Sequence, residues 1–138
     1  MAEQLGPAKV VFACVANAGR SQMAAALFNT LASPTRARAI SAGTRPGTAV
    51  HPEVVAAMRE TGIDLSAAKP QYLSTDLAKD AHIVITMGCG DECPLIPGVE
   101  RDDWPIEDPK GKPVEDVRRI RDEIQKRVAD LVTERKWG

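Results

Sequence analysis

Apolar residues fall along this chain in two manners: short solid runs, and longer stretches in which they recur every three or four positions. Val10-Val11-Phe12-Ala13 is a solid run of strand length, the mark of a buried strand. Over residues 20–32, Met23, Ala24, Leu27, Phe28 and Leu31 recur at helical spacing, and Ser33-Pro34 ends that helix. Residues 37–41 read as a weaker strand, closed by Gly43. His51-Pro52 opens a second helix with proline at its first position, Val54, Val55 and Met58 as its apolar face, and Gly62 suited to its C-terminal cap. Residues 74–80 form a short helix, 82–86 the clearest strand, and 99–104 a fourth strand. Val117, Ile120, Ile124, Val128 and Leu131 then mark a long amphipathic final helix.

Strands alternating with helices predict an α/β sandwich around a parallel sheet, with crossovers long enough for parallel pairing. In such sheets the site lies beyond the carboxyl ends of the strands, where strand order reverses. Three segments follow strand candidates and so draw the search for chemistry: residues 14–21, 88–94 and 105–109.

Size and charge narrow the classes. A chain of 138 residues with 43% hydrophobic content builds one ordinary core, so a single domain over residues 1–138 is expected. Eighteen basic against 19 acidic residues leave a net charge of −1, without the basic excess of a nucleic-acid binder. No apolar run is long enough for a membrane span. The first nine residues lack a charged region followed by an apolar stretch, so no signal peptide is expected and the cytoplasm is the default location. Three cysteines cannot all pair internally, and in a cytosolic chain they point to catalysis, redox chemistry or metal binding.

Cys14-Val15-Ala16-Asn17-Ala18-Gly19-Arg20-Ser21 sits between the first strand and the first helix. A loop there can curl the N–H groups of Val15, Ala16, Asn17, Ala18, Gly19 and Arg20 around one point, and the helix N-terminus adds to that anion seat. Gly19 offers the backbone freedom the curl requires, and Asn17 holds the loop through side-chain-to-backbone hydrogen bonds. Arg20 brings a planar fork that matches two oxygens of a tetrahedral oxyanion. Cys14 faces this cradle as a thiolate. The helix terminus supplies only about 0.3–2 kcal/mol towards that charge. The amides, Arg20 and the Ser21 hydroxyl must supply the rest.

Cys-x5-Arg-Ser resembles the low-molecular-weight protein tyrosine phosphatase superfamily, and Ser21-Gln22-Met23-Ala24 narrows the resemblance to its arsenate reductase branch. Ser41-Ala42-Gly43-Thr44 and Gly62-Ile63-Asp64-Leu65-Ser66 match further segments, so the likeness runs from about Lys9 to Leu131. It implies a three-layer fold with a four-stranded parallel sheet and helices on both faces. It implies arsenate as substrate, with Cys14 as nucleophile and Asp108, in Asp108-Pro109, as general acid; Glu107 is the neighbouring alternative. Some members of the family hold a potassium ion near this loop. Asn17 and Asp64 match that feature, but Ala25 stands where an acidic partner is expected, and no other cofactor is expected.

Cys89-Gly90-Asp91-Glu92-Cys93 follows the clearest strand. Zinc needs about four ligands. Besides Cys14 only His51 and His82 are available, neither at a usual ligand spacing, and a redox pair fits better. By resemblance, Cys89 forms a first disulfide with Cys14, and Cys93 then attacks Cys89, leaving a Cys89–Cys93 disulfide for thioredoxin. The order of attack stays open, because this loop is shorter than the thioredoxin-linked pattern. Mycothiol or glutathione, with its glutaredoxin-type partner, is the alternative donor. Phosphatase activity is a second reading and a non-enzymatic oxyanion-binding module a third. Lys110-Gly111 stand where phosphatases of this family place aromatic residues to sandwich a phenyl ring. His51 and His82 are expected in structural or surface roles, Trp104 beside the site or in the core, and the alternating charges of residues 116–130 on a solvated helix face.

Overall fold

A computed structural model describes residues 7–88 and 96–138. Its elements are β1 (Ala8–Cys14), α1 (Arg20–Leu31), β2 (Ala37–Gly43), α2 (Pro52–Arg59), α3 (Thr75–Ala78), β3 (Ile83–Thr86), β4 (Glu100–Asp103) and α4 (Val114–Arg135). The four strands form one sheet in the order β2-β1-β3-β4, and every pairing is parallel. The chain leaves β1 in one direction for β2 and returns on the other side for β3. The reversal of strand order therefore falls at the carboxyl end of β1, where Cys14 stands.

Alternation along β1 splits the core. Val10, Phe12 and Cys14 face a large apolar cluster built with Met23 and Phe28 of α1, Val54 and Met58 of α2, and Ile120 and Ile124 of α4. Val11 and Ala13 face a smaller cluster with Leu73, Ala78 of α3 and Val84. Both faces of the sheet are thus covered, as parallel strands require. The expected four-stranded α/β sandwich is the observed one.

Most element boundaries agree with the hydrophobic pattern to within one to three residues, and the differences have physical causes. α1 stops at Leu31 because Ala32 turns extended at its C-cap. β2 runs on to Gly43, past the expected end at Ser41, because β1 pairs with it through Cys14. α4 begins at Val114 and ends where Lys136 turns left-handed (φ 59°). β4 is shorter than expected and all four of its residues are exposed and charged, so its apolar neighbours Val99 and Trp104 lie outside the strand. Gly62 does take a positive φ of 85°, but in the turn beyond α2, whose cap is Glu60. Trp104 belongs to the core: it is 6% exposed and its ring lies 5.6 Å from that of Phe12.

The outer edge of β2 is closed by side chains. Asn29 Oδ1 accepts the Ala39 amide at 2.8 Å and Asn29 Nδ2 donates to the Ala39 carbonyl at 2.9 Å, while Gln71 Nε2 donates to the Ser41 carbonyl at 2.9 Å. Among the described residues no helix is long and apolar enough to cross a membrane.

Candidate active site

The loop after β1 is shaped by what takes its carbonyls. Thr44 N–H donates to the Cys14 carbonyl (3.1 Å), Arg45 to Val15 (2.9 Å), Gly47 to Ala16 (2.9 Å) and His51 to Ala18 (2.9 Å). Gln22 Nε2 donates to the Asn17 carbonyl at 3.1 Å. A trans peptide points its N–H opposite to its C=O, and the described residues have no cis bonds. Carbonyls drawn outward by the 44–51 segment and Gln22 therefore turn the following amides inward. The result is a nest of donors at the start of α1, the arrangement that favours an anion.

The curl itself departs from expectation at one residue. The left-handed position is Asn17 (φ 53°), whereas Gly19 has a negative φ of −145°. Asparagine tolerates that conformation when its short polar side chain finds local partners, and Asn17 is fully buried among them. Its Oδ1 accepts the Gln71 amide at 2.9 Å and its Nδ2 donates to Ser21 Oγ at 2.7 Å. Glycine matters elsewhere. A Cβ at Gly43 would lie 2.5 Å from the Val15 carbonyl oxygen, so β2 approaches the loop only because that atom is missing. Gly88 (φ +95°) leaves room for the Arg20 guanidinium, which a Cβ there would meet head-on; the sequence marked it only as the start of the 88–94 segment, with no role of its own.

Cys14 is 2% exposed and its Sγ lies 2.8 Å from Ser21 Oγ. Arg20 is oriented by the opposite wall: Nη1 donates to the Ile106 carbonyl at 3.3 Å, and Nη2 is 3.7 Å from Asp108 Oδ2. Asp108 is exposed over half its side chain and accepts the Lys110 amide at 3.0 Å, which sets its carboxylate at a turn. Glu53 at the start of α2 accepts the Gly111 amide at 2.8 Å and so ties this loop to the helix. That hydrogen bond is the main reason its carboxyl sits below the ordinary value. Glu107, the alternative acid, points elsewhere. It pairs with Lys112 (2.9 Å) and Arg119 (3.0 Å), and those two cations hold its carboxyl low, the wrong direction for a proton donor.

These parts enclose a cavity of about 200 Å³ lined by Cys14, Val15, Ala16, Ala18, Gly19, Arg20, His51, Asp108 and Lys110. His51 is therefore a site residue and not a distant structural one: its amide anchors the loop and it lines the cavity. His82 is structural, its Nδ1 accepting the Lys9 amide at 3.2 Å. Of the expected site residues, the structure gathers Cys14, the 15–19 loop, Arg20, Ser21 and Asp108. Cys89 and Cys93 lie outside the described residues. Asn17 spends its side-chain oxygen on Gln71 and Gln22. Asp64 is an exposed carboxylate that accepts the Ser66 amide and lies 3.8 Å from Arg59. Among the described residues no three His, Cys, Asp or Glu side chains converge as metal ligands.

A thiol in an amide nest at a parallel-sheet switch point, with an arginine fork and a carboxyl across the opening, defines a class of cysteine-dependent oxyanion enzymes. This chain belongs to the low molecular weight phosphotyrosine protein phosphatase family, whose model matches residues 9–136. It is 42% identical over 134 residues to a Halobacterium salinarum protein provisionally assigned as an arsenate reductase, covering 91% of this chain and 92% of that one. It is 35% identical over 127 residues to a glutaredoxin arsenate reductase of Synechocystis, covering 90% and 95%. Among solved structures it superposes on a thioredoxin-dependent arsenate reductase of Corynebacterium glutamicum with a TM-score of 0.81 at 37% identity. That match covers 95% of this chain, which spans only 63% of the longer chain.

Proposed function

We propose that this chain is an arsenate reductase that works through thiol chemistry and serves arsenic detoxification. The observation that carries the reading is the placement of Cys14 Sγ, 2.8 Å from Ser21 Oγ, at the floor of an amide-lined cavity shared with Arg20 and Asp108. Arsenate has the shape and charge of phosphate and fits such a nest. Cys14 Sγ attacks arsenic while Asp108 gives a proton to the departing oxygen, which leaves as water. Arg20 and the inward amides hold the remaining oxygens.

The adduct contains a sulfur–As(V) bond. A second thiolate attacks the Cys14 sulfur, the electron pair of that bond stays on arsenic, and arsenite departs as As(III). Cys89 is proposed as the attacking thiol and Cys93 as the one that resolves the Cys14–Cys89 disulfide. Thioredoxin then reduces Cys89–Cys93, by thiol–disulfide exchange in a reducing cytoplasm. The names of the Corynebacterium and Synechocystis relatives support thioredoxin and glutaredoxin-type donors respectively. Hydrolysis of aryl phosphates is disfavoured by the cavity wall. Among the described residues lining it there is no Phe, Tyr or Trp, and Lys110 and His51 stand at its rim.

The test is arsenate turnover with thioredoxin and its reductase, glutathione with glutaredoxin, or mycothiol with mycoredoxin, each offered alone. Thioredoxin is expected to sustain many turnovers. Cys93→Ser is expected to release one arsenite per enzyme and then stop. Full multiple turnover by Cys93→Ser removes that residue from the relay, and failure with every donor removes the reductase reading.

A further inference from the structure

Ser21 Oγ touches two partners, and the direction of its proton decides what it does for Cys14. The direction can be deduced from an unambiguous donor remote in sequence. The backbone N–H of Gln71 can only donate, and it points at the Asn17 side chain at 2.9 Å. The atom it meets is therefore the Asn17 oxygen, and the Asn17 nitrogen must face Ser21 Oγ, 2.7 Å away. A hydroxyl oxygen that accepts from Asn17 has its own proton left for its other neighbour, Cys14 Sγ at 2.8 Å. With Cys14 as the thiolate of the proposed function, the sulfur can only accept, so the chain of donors runs one way, from residue 71 to the sulfur.

Gln22 completes the arrangement. It is 7% exposed, and its Nε2 lies 3.1 Å from the Asn17 carbonyl, 3.2 Å from Asn17 Oδ1 and 3.4 Å from the Lys69 carbonyl. One amide nitrogen thus faces three oxygens, two of them on the left-handed residue and one on the segment that carries the Gln71 donor. Asn17 alone of the loop residues holds a left-handed backbone. Without a donor at this point, the Asn17 carbonyl would lose its Gln22 partner in a buried space, where an unpaired polar group is costly. No buried side-chain polar atom among the described residues lacks a partner.

We propose that Gln22 is a positioning residue: it locks Asn17 against the 69–71 segment, so that Asn17 aims the Ser21 hydroxyl at Cys14 and keeps the sulfur reactive as an anion. Gln22 touches neither Cys14 nor the cavity, and it acts only through Asn17 and Ser21. The inference rests on Cys14 being the reactive thiol of the proposed function, but not on arsenate being its substrate.

The experiment therefore uses no arsenate. The full chain is alkylated with iodoacetamide across a pH series, and the peptide containing Cys14 is followed by mass. The series is run on the unaltered protein, Gln22→Met, Ser21→Ala and the double variant. Arg20, His51, Asp108 and Lys110, the charged and titratable groups around the sulfur, are the same in all four. Gln22→Met keeps the side-chain length and removes the donor. It is expected to slow Cys14 alkylation at pH 7 by about tenfold and to move the profile to higher pH by about one unit. In the Ser21→Ala background the same substitution is expected to add nothing, since the path it acts through is already cut. An unchanged profile in Gln22→Met, or an equal slowing in both backgrounds, overturns the proposal. Should Gln22→Met fail to fold, Gln22→Glu is taken through the same cycle with the same two readings. Loss of arsenate turnover with this coupling intact would count against the substrate and leave the positioning role standing.

Discussion

The two walls of the active-site cavity are built by opposite means. The floor, from Cys14 to Gln22, is mostly buried, with only Val15, Ala16 and Arg20 half-buried: Cys14, Asn17 and Ser21 are each at most 2% exposed, and backbone and amide hydrogen bonds hold every loop carbonyl. The opposite wall, from Ile106 to Gly111, is largely exposed and held mostly by exposed polar contacts: the Glu53–Gly111 and Asp108–Lys110 hydrogen bonds, the hold of Arg20 on Ile106 and Asp108, and the ion pairs of Glu107 with Lys112 and Arg119. A buried donor that loses its partner costs about 1–3 kcal/mol, whereas exposed ion pairs are weak and screened by salt. The floor is thus specified in advance for a tetrahedral anion, and the acid is presented from a wall that substitutions can alter without unfolding the protein.

That contrast can be broken most severely at Asp108. Asp108→Asn keeps an oxygen for the Lys110 amide, so the turn survives while the proton donor is lost. Single-turnover adduct formation is expected to slow by roughly 10²–10⁴-fold. The affinity for arsenate should hold or improve, because Arg20 loses its competing carboxylate. An unchanged single-turnover rate, read by rapid quench, would remove Asp108 from the chemistry. Gly88→Ala tests the floor next. Its Cβ would meet the Arg20 guanidinium and must take a positive φ, so arsenate binding, measured by calorimetry, should weaken by about 10-fold or more while Cys14 remains reactive. Equal affinity would show that Arg20 does not need this space.

Smaller effects are expected further out. Glu107→Gln should change turnover by no more than about threefold, with added salt reproducing most of the difference; a loss as large as that of Asp108→Asn would make Glu107 the acid. Smallest is the link between α2 and α4, an exposed pair. Arg118 and then Arg121 hydrogen-bond Glu60 and hold its carboxyl down at about 2, against an ordinary 4.5. A carboxyl depressed by folding stabilises the protein above its ordinary value, and that support fades as pH falls towards the folded value. Thermal midpoints should drop over that acid window, and Glu60→Gln should flatten the drop. A variant with an unchanged acid limb would show that the pair contributes nothing.

The fold was legible because its strongest signals are periodic: the solid run of β1, the three-four spacing of α1 and α4, and turn residues between them. The nucleophile, the arginine and the serine were legible because they are contiguous and lie between a strand and a helix. What sequence reading missed depends on distant chain segments meeting. Glycine was the obvious candidate for the left-handed position, yet Asn17 takes it, because Gln22 and Gln71 supply hydrogen bonds that a local reading does not contain. His51 joins the site through the Ala18 carbonyl, 33 residues away in sequence. Gly88 matters through the missing atom that lets Arg20 pass, and such an absence leaves no periodic trace.

The side-chain amides along β2 have one more consequence. Asn29 occupies both hydrogen-bonding groups of Ala39 and Gln71 occupies the Ser41 carbonyl, while the other border of the sheet, β4, consists wholly of charged residues. Neither border offers a neighbouring copy a free template for strand addition. The folded protein is thereby kept from zipping into fibrils with its own kind.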